Sequence, residues 1–326
     1  MVAGAAGVSA ATVSRVINGV TGKTSAETHA RVLQTVKALG YRPSRAGSTL
    51  RQGRSHLVGL LVPDPGNAYN ASIAASVEQA LRVEGRVMVL ANTQEDPAVQ
   101  DNLLQEMRSL LVGGIVMLGA VPSPQLEDTL RDGVPVVFLN RRSPVRQTGP
   151  YVGIDNAEAG RAVGAHFARC KFRRVAIFHG PMTSSATCGR VNGFQAAFGA
   201  GIGEHGQVRL CRATVDRKRS GYLLAARLLD EEWAPDAIFC TTDEIAYGTA
   251  KQCQERGLRV PQDVALFGFD GNPLNAYLAP WLSTVHVPCE EFGPAAARLL
   301  RSWWDNGAAP AEDIILPFRI VIAPSC

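Results

Sequence analysis

At 326 residues, 46% of them hydrophobic, the chain has room for more than one domain, and no apolar run lasts long enough to cross a membrane as a helix. Seven cysteines without a Cys-x-x-Cys pair exclude a thiolate metal centre and point to reduced thiols in the cytoplasm, with no cofactor and no metal called for. The net charge of +4 is unevenly placed: up to His56 eight Lys and Arg stand against one acid, Glu27, whereas the remainder holds twenty-five against twenty-eight, so any polyanion partner belongs to the N-terminal end.

The first residues are expected to be helical, and Gly7 gives the backbone freedom for a tight turn into a second helix, whose free N–H groups Ser9 is placed to cap. On that helix Val13, Val16 and Ile17 fall at i, i+3 and i+4 and form an inner stripe. Ala10, Ala11, Ser14, Arg15 and Asn18 then face outward. Such a face suits the DNA major groove: Arg15 for guanine O6 and N7 or a phosphate, Ser14 and Asn18 for the backbone, Ala10 and Ala11 for a thymine methyl. With Ser9 and Thr12 at the helix start these are the candidate DNA-contacting residues, the alternative being an ordinary amphipathic helix without a nucleic-acid partner. Arg15 inside this alanine-rich stretch argues against a secretory signal.

Thr24-Ser25-Ala26-Glu27 opens a third helix with a face of Val32, Leu33, Val36, Lys37 and Leu39 read as apolar, and Gly40-Tyr41-Arg42-Pro43 ends it. Residues 1–43 thus form a helix-turn-helix head, and residues 44–56 a polar, basic hinge segment with one large aliphatic residue, Leu50.

Ala6-Gly7-Val8-Ser9, with Thr12 through Asn18, resembles the helix-turn-helix signature of the lac repressor family of bacterial regulators, and Gly40-Tyr41-Arg42-Pro43-Ser44 resembles the end of that family's headpiece. The resemblance implies that Ala46 to Leu50 is a hinge helix ordered on DNA, with Leu50 wedged into the minor groove; packing of Leu50 onto the core is the alternative. The chain departs from the family in two places. Family members usually carry several residues ahead of the position of Met1, so the first helix is expected to be short and weakly anchored. Gly47 replaces a common alanine at a cost of about 1 kcal/mol in a helix interior.

From Leu57 the pattern changes to β-rich apolar runs at Leu57–Val62, Val87–Ala91, Gly114–Leu118, Val134–Leu139, Val175–His179, Val208–Cys211, Ala237–Thr241 and Val264–Gly268. Helical segments such as Ile73–Val83 and Val99–Leu111 lie between them. Continuous Val, Ile and Leu runs fit strands covered on both faces, so residues 57–326 are an α/β body of parallel, doubly wound sheets. The resemblance implies a periplasmic-binding-protein-like core of two subdomains, about 57–154 with 289–316 and about 155–285 with 317–326, joined by crossovers near Ile154, His286 and Pro317.

No catalytic residues are expected. Gly201-Ile202-Gly203-Glu204-His205-Gly206 matches G-x-G-x-x-G, but it follows a helix and precedes a strand, the reverse of a dinucleotide site. A ligand cleft has better support, since open α/β sheets bind ligands beyond the carboxyl ends of their strands, where Asp64, Asn67, Asn140, Thr242, Asp243 and Asp270 stand. Arg190 and Asp270 resemble the family's effector-binding arginine and aspartate, and the resemblance adds Asn67, Tyr69, Asn140 and Asp216 to the walls. Asp64, Asp243 and Asp270 are alternatively helix or turn caps, and Tyr69 plain packing. Asp216 in place of an aromatic and Val287 in place of a polar residue imply an effector other than the lac repressor's galactoside.

The whole is expected to be a cytoplasmic transcriptional repressor, a homodimer on a double-stranded DNA operator, controlled by a sugar-like small molecule and free of the membrane. The alternative is a sugar-sensing solute-binding module with a non-functional head.

Overall fold

The computed structural model describes residues 1–17, 23–41, 55–146, 148–203 and 206–326. Asn18, Pro43, the hinge residues 44–54 with Gly47 and Leu50, and Glu204 and His205 lie outside the described residues. The chain divides into two compact units, Met1–Ser55 and His56–Cys326.

In the first unit α1 (Val2–Ala5), α2 (Ala10–Ile17) and α3 (Ala26–Ala38) enclose Val2, Ala6, Val13, Val16 and Val32. Gly7 turns the chain between α1 and α2 at φ 63°, a conformation that costs glycine little. The Ser9 hydroxyl accepts from the Thr12 N–H at 3.1 Å, and that of Ser25 from the Thr28 N–H at 3.2 Å, so both longer helices are capped. α3 ends in a Schellman pattern, with Gly40 at φ 57° and the Tyr41 N–H returning to the Val36 carbonyl at 3.0 Å. α1 spans only four residues and its first turn has no side-chain cap. The third helix departs from its expected apolar face: Val32 and Val36 pack in the core of this unit, whereas Leu33 and Leu39 are exposed.

In the second unit β1 (Leu57–Val62), β2 (Val87–Asn92), β3 (Gly114–Leu118), β4 (Val136–Leu139), β5 (Tyr151–Ile154) and β11 (Asp313–Leu316) make a parallel sheet in the order β2-β1-β3-β4-β5-β11. Leu60 of β1 sits in register with Leu90 and Val116. A second parallel sheet has the order β7-β6-β8-β9, from β6 (Arg174–His179), β7 (Gln207–Arg212), β8 (Ala237–Cys240) and β9 (Ala265–Phe267). Helices α4 (Ala68–Val83), α5 (Pro97–Ser109), α6 (Pro124–Arg131) and α12 (Cys289–Asn306) accompany the first sheet. α7 (Asn156–Arg169), α8 (Ser185–Ile202), α9 (Arg217–Leu228), α10 (Asp243–Glu255) and the short α11 (Asn275–Leu278) accompany the second. β10 (Thr284–His286) and β12 (Arg319–Val321) form an antiparallel ribbon that the sequence reading did not contain. The chain passes between the two halves after β5, after β10 and after β11.

Each half buries a Val, Ile and Leu sheet core, so the strand ends, where backbone and polar side chains emerge, are fixed by packing rather than by the loops themselves. α7 and α8 approach unusually closely: a β-carbon on Gly160 would lie 2.2 Å from the carbonyl oxygen of Arg190. That contact sets where the Arg190 side chain starts. Among the described residues no helix is long and apolar enough to cross a membrane.

Candidate functional site

In both sheets the first strand has later strands on either side, β1 between β2 and β3 and β6 between β7 and β8, which opens a crevice at their carboxyl ends. The residues that leave those ends converge on one cavity. Its walls include Asp64, Asn67, Tyr69, Glu95, Asn140 and Arg141 from the first half and Thr187, Arg190, Arg217, Thr241, Thr242 and Asp270 from the second.

Arg190 is its centre. The side chain is 4% exposed, and its guanidinium donates to Asn156 Oδ1 at 2.8 Å, the Thr241 carbonyl at 2.7 Å and Asp270 Oδ1 at 3.2 Å. It reaches across the cleft to Asn140 Oδ1 at 3.5 Å and lies 3.6 Å above the Phe269 ring. Asp270 adopts φ 107°, a strained conformation for a residue with a β-carbon, and its backbone is held on both sides by β10 and its extension: its N–H donates to Val285, its carbonyl accepts from Val287. Burial pushes its carboxyl up to about 8 against the opposing pull of Arg190. A buried arginine fork facing a carboxyl that holds its proton near neutrality offers both donors and acceptors to ligand hydroxyls.

On the opposite wall Asn67 caps α4, its Oδ1 accepting from the Tyr69 and Asn70 N–H groups at 2.8 and 3.2 Å. That cap aims Tyr69 inward. The Tyr69 ring is buried, its hydroxyl has no hydrogen-bond partner among the described residues, and burial raises its pKa well above the ordinary value. A buried hydroxyl without a partner costs free energy that a hydrogen bond to it would return.

The structure brings Asn67, Tyr69, Asn140, Arg190, Thr242 and Asp270 to this cavity and leaves two candidates outside it. Asp243 is turned away: its carboxylate accepts from the Asn272 N–H at 2.7 Å, Asn275 Nδ2 at 2.9 Å and Thr284 Oγ1 at 2.7 Å, pinning the turn that carries Asp270. Its helix is capped by Thr242, which accepts from the Ile245 N–H. Asp216 caps α9 through the Arg219 N–H and lines an outer recess that adjoins the cavity, sharing Asp64 and Arg217 with it.

Sequence reasoning passed over four charged residues of the cavity, one of which, Glu244, pairs with Lys218. Glu95, Arg141 and Arg217 form one cluster, with Arg141 Nη2 2.5 Å and Arg217 Nη2 2.8 Å from the two oxygens of Glu95. The strand-end rule that found Asn67 and Asn140, applied after β2 and one residue past Asn140, would have found Glu95 and Arg141.

In the first unit Ser9, Ala10, Ala11 and Arg15 are exposed, Thr12 and Ser14 half-buried, and Val13 and Val16 buried, so α2 presents one polar and basic face.

The chain matches the model of bacterial regulatory proteins of the lacI family over residues 2–44 and that of a periplasmic binding protein-like domain over residues 165–326. It is 31% identical to catabolite control protein A of Priestia megaterium, over 98% of this chain and 96% of that protein. It is likewise 31% identical to the ribose operon repressor of Halalkalibacterium halodurans, over 97% of this chain and 92% of that one. Among solved structures, a transcriptional regulator CelR–cellobiose complex superposes with a TM-score of 0.74 at 29% identity, covering all of this chain and 98% of its own.

Proposed function

The chain belongs to the lacI family of bacterial regulatory proteins and is a DNA-binding transcriptional regulator controlled by a small-molecule effector; from that premise we propose that it is a cytoplasmic homodimeric repressor whose effector is a sugar or sugar derivative bound in the cleft around Arg190. The observation that carries the assignment of the cleft is the buried hydroxyl of Tyr69, which has no hydrogen-bond partner among the described residues and belongs to a residue lining the same cavity as Arg190 and Asp270. The ligand's polar edge bonds to Arg190, Asp270 and Tyr69, with Asn67, Asn140 and Thr242 completing the walls. A bound cellobiose in a relative 29% identical over the whole chain supports a carbohydrate.

Because the ligand touches both halves, it binds one relative arrangement more tightly than another and shifts the population accordingly. Asp270 is the mechanical link, since its backbone is bonded into the β10 segment that crosses between the halves. On the DNA side Ser9, Ala10, Ala11, Thr12, Ser14, Arg15 and Asn18 are assigned to the major groove and Leu50 to the minor-groove wedge, two heads reading a pseudo-palindrome. Dimerisation is supported by an apolar surface at α11, where Tyr277 and Leu278 are 83% and 73% exposed beside a recess lined by Tyr247, Leu258 and Trp281.

The test separates the two sites. Removing the residues before Leu57 is expected to abolish DNA binding and leave ligand binding intact. Arg190→Lys keeps a charge against Asp270 but loses the fork, and is expected to abolish the ligand response while DNA binding persists. Unchanged effector affinity in Arg190→Lys would overturn the pocket assignment.

A further inference from the structure

The cluster of Glu95, Arg141 and Arg217 has no part in the ligand contacts assigned above, yet it is among the most buried charge in the cleft. The three side chains are 9%, 14% and 11% exposed. Glu95 and Arg141 belong to the first half, Arg217 to the second, 122 residues from Glu95 in sequence. Burial works to raise the Glu95 carboxyl, and the two guanidinium groups outweigh it and hold the group below the usual carboxylate range.

Two further observations bear on its role. Gln94 and Glu95 stand in consecutive left-handed conformations, at φ 56° and 55°, which non-glycine residues avoid unless their surroundings impose it. Both arginines are also positioned without Glu95: Arg141 donates to the Gly119 carbonyl at 3.4 Å, and Arg217 to the carbonyls of Ala213 and Thr214. A loop held in an unfavourable backbone thus delivers one carboxylate onto two guanidinium groups that would otherwise face the cavity as a ready anion site.

We propose that Glu95 is a built-in counter-ion that makes this cleft select uncharged ligands over anionic ones, by occupying the arginine pair that a phosphate or carboxylate of a ligand would need. The proposal deepens, and rests on, the reading of the cleft as the effector site. An anionic ligand must either displace a carboxylate that already satisfies both arginines or enter beside it against like charge. Glutamine at this position keeps the shape and removes the charge, leaving two nearly buried cations short of one anion.

The probe is inorganic phosphate, titrated calorimetrically into the full chain, into Glu95→Gln and into Glu95→Gln/Arg217→Gln. The basic head contributes equally to all three, so the differences report on the cleft. Glu95→Gln is expected to bind phosphate at least about tenfold more tightly than the original chain, and the added Arg217→Gln to remove that gain. Equal phosphate affinity in Glu95→Gln and the original chain overturns the proposal, as does a gain that survives Arg217→Gln. Should Glu95→Gln fail to fold, Glu95→Asp retains the charge but cannot reach both arginines. It is expected to gain roughly threefold, and no gain overturns the proposal equally. None of these titrations needs the natural effector. A negative result therefore removes the counter-ion role alone, while the effector-site reading stands or falls on Arg190→Lys.

Discussion

Tyr69→Phe removes a single oxygen, and the structure assigns that oxygen opposite effects on stability and on ligand binding. The Tyr69 side chain is 3% exposed and its hydroxyl has no partner among the described residues, so the folded chain bears the cost of a desolvated, unpaired hydroxyl, about 1–3 kcal/mol. Phenylalanine removes that cost and leaves a space smaller than a methyl group, which returns a few tenths of a kcal/mol. The ligand-free core is expected to gain roughly 1–2 kcal/mol, a rise of about 2–6 °C in the unfolding midpoint for a unit of this size. With the sugar returned by a thermal-shift screen, the same variant loses one hydrogen bond in the complex. Calorimetry is expected to find affinity weaker by about 0.5–1.5 kcal/mol, up to roughly tenfold. A midpoint that falls or stays put in the ligand-free variant would refute the orphaned hydroxyl. Unchanged affinity with a raised midpoint would refute its contact with the ligand.

Further outcomes follow from other elements. Gly160→Ala places a methyl group 2.2 Å from the Arg190 carbonyl oxygen, so α7 and α8 must separate; chemical denaturation should register a loss of about 1–3 kcal/mol together with weaker effector binding. Asp270 keeps its proton up to about pH 8 in the folded chain and loses it near pH 4 when unfolded, so the folded state binds more protons between those values and stability falls as pH rises through them. Asp243, pushed up to about 6, adds to the lower part of that window, so Asp270→Asn should flatten the profile specifically between pH 6 and 8. Arg15→Ala should weaken binding to a selected operator by about 1–3 kcal/mol if the residue reads a guanine, or lower the salt slope by about 0.9 if it reads a phosphate; no change in either would remove it from the interface. Leu278→Asp should turn a dimer into a monomer in sedimentation, and an unaltered sedimentation coefficient would place the dimer contact elsewhere.

The sequence made the head and the long strands legible because their signals are local. The Val13 and Val16 stripe, the Ser9 cap and the apolar runs of β1, β3 and β6 each lie within a few residues. β5, β10, β11 and β12 went unread: Asp313–Leu316 pairs with β5 from far along the chain and β10 with β12, so these strands are defined by distant partners rather than by a local run. Helix starts were placed late for the same reason that Asn67 was valued chiefly as a ligand group: the first turns of α4 are polar, and their helical state rests on that cap. At the cleft, residues that follow strands were legible by rule. Whether Asp243 faces the cavity or the Asn272 turn was not, since both positions follow a strand and only the packing of Thr284 and Asn275 against it decides. The Glu95 cluster is assembled from two halves, a relation that no local pattern carries.

The most direct measurement is selection of binding sites for the purified chain from random double-stranded DNA, repeated with and without a mixed library of sugars and sugar acids. The expected result is enrichment of a pseudo-palindrome with a flexible central step, its occupancy changed by a neutral sugar and restored to insensitivity by Arg190→Lys. Failure to enrich any sequence, or an enriched palindrome that no library member affects while Arg190→Lys behaves as the original chain, would contradict a ligand-controlled regulator built around this cleft.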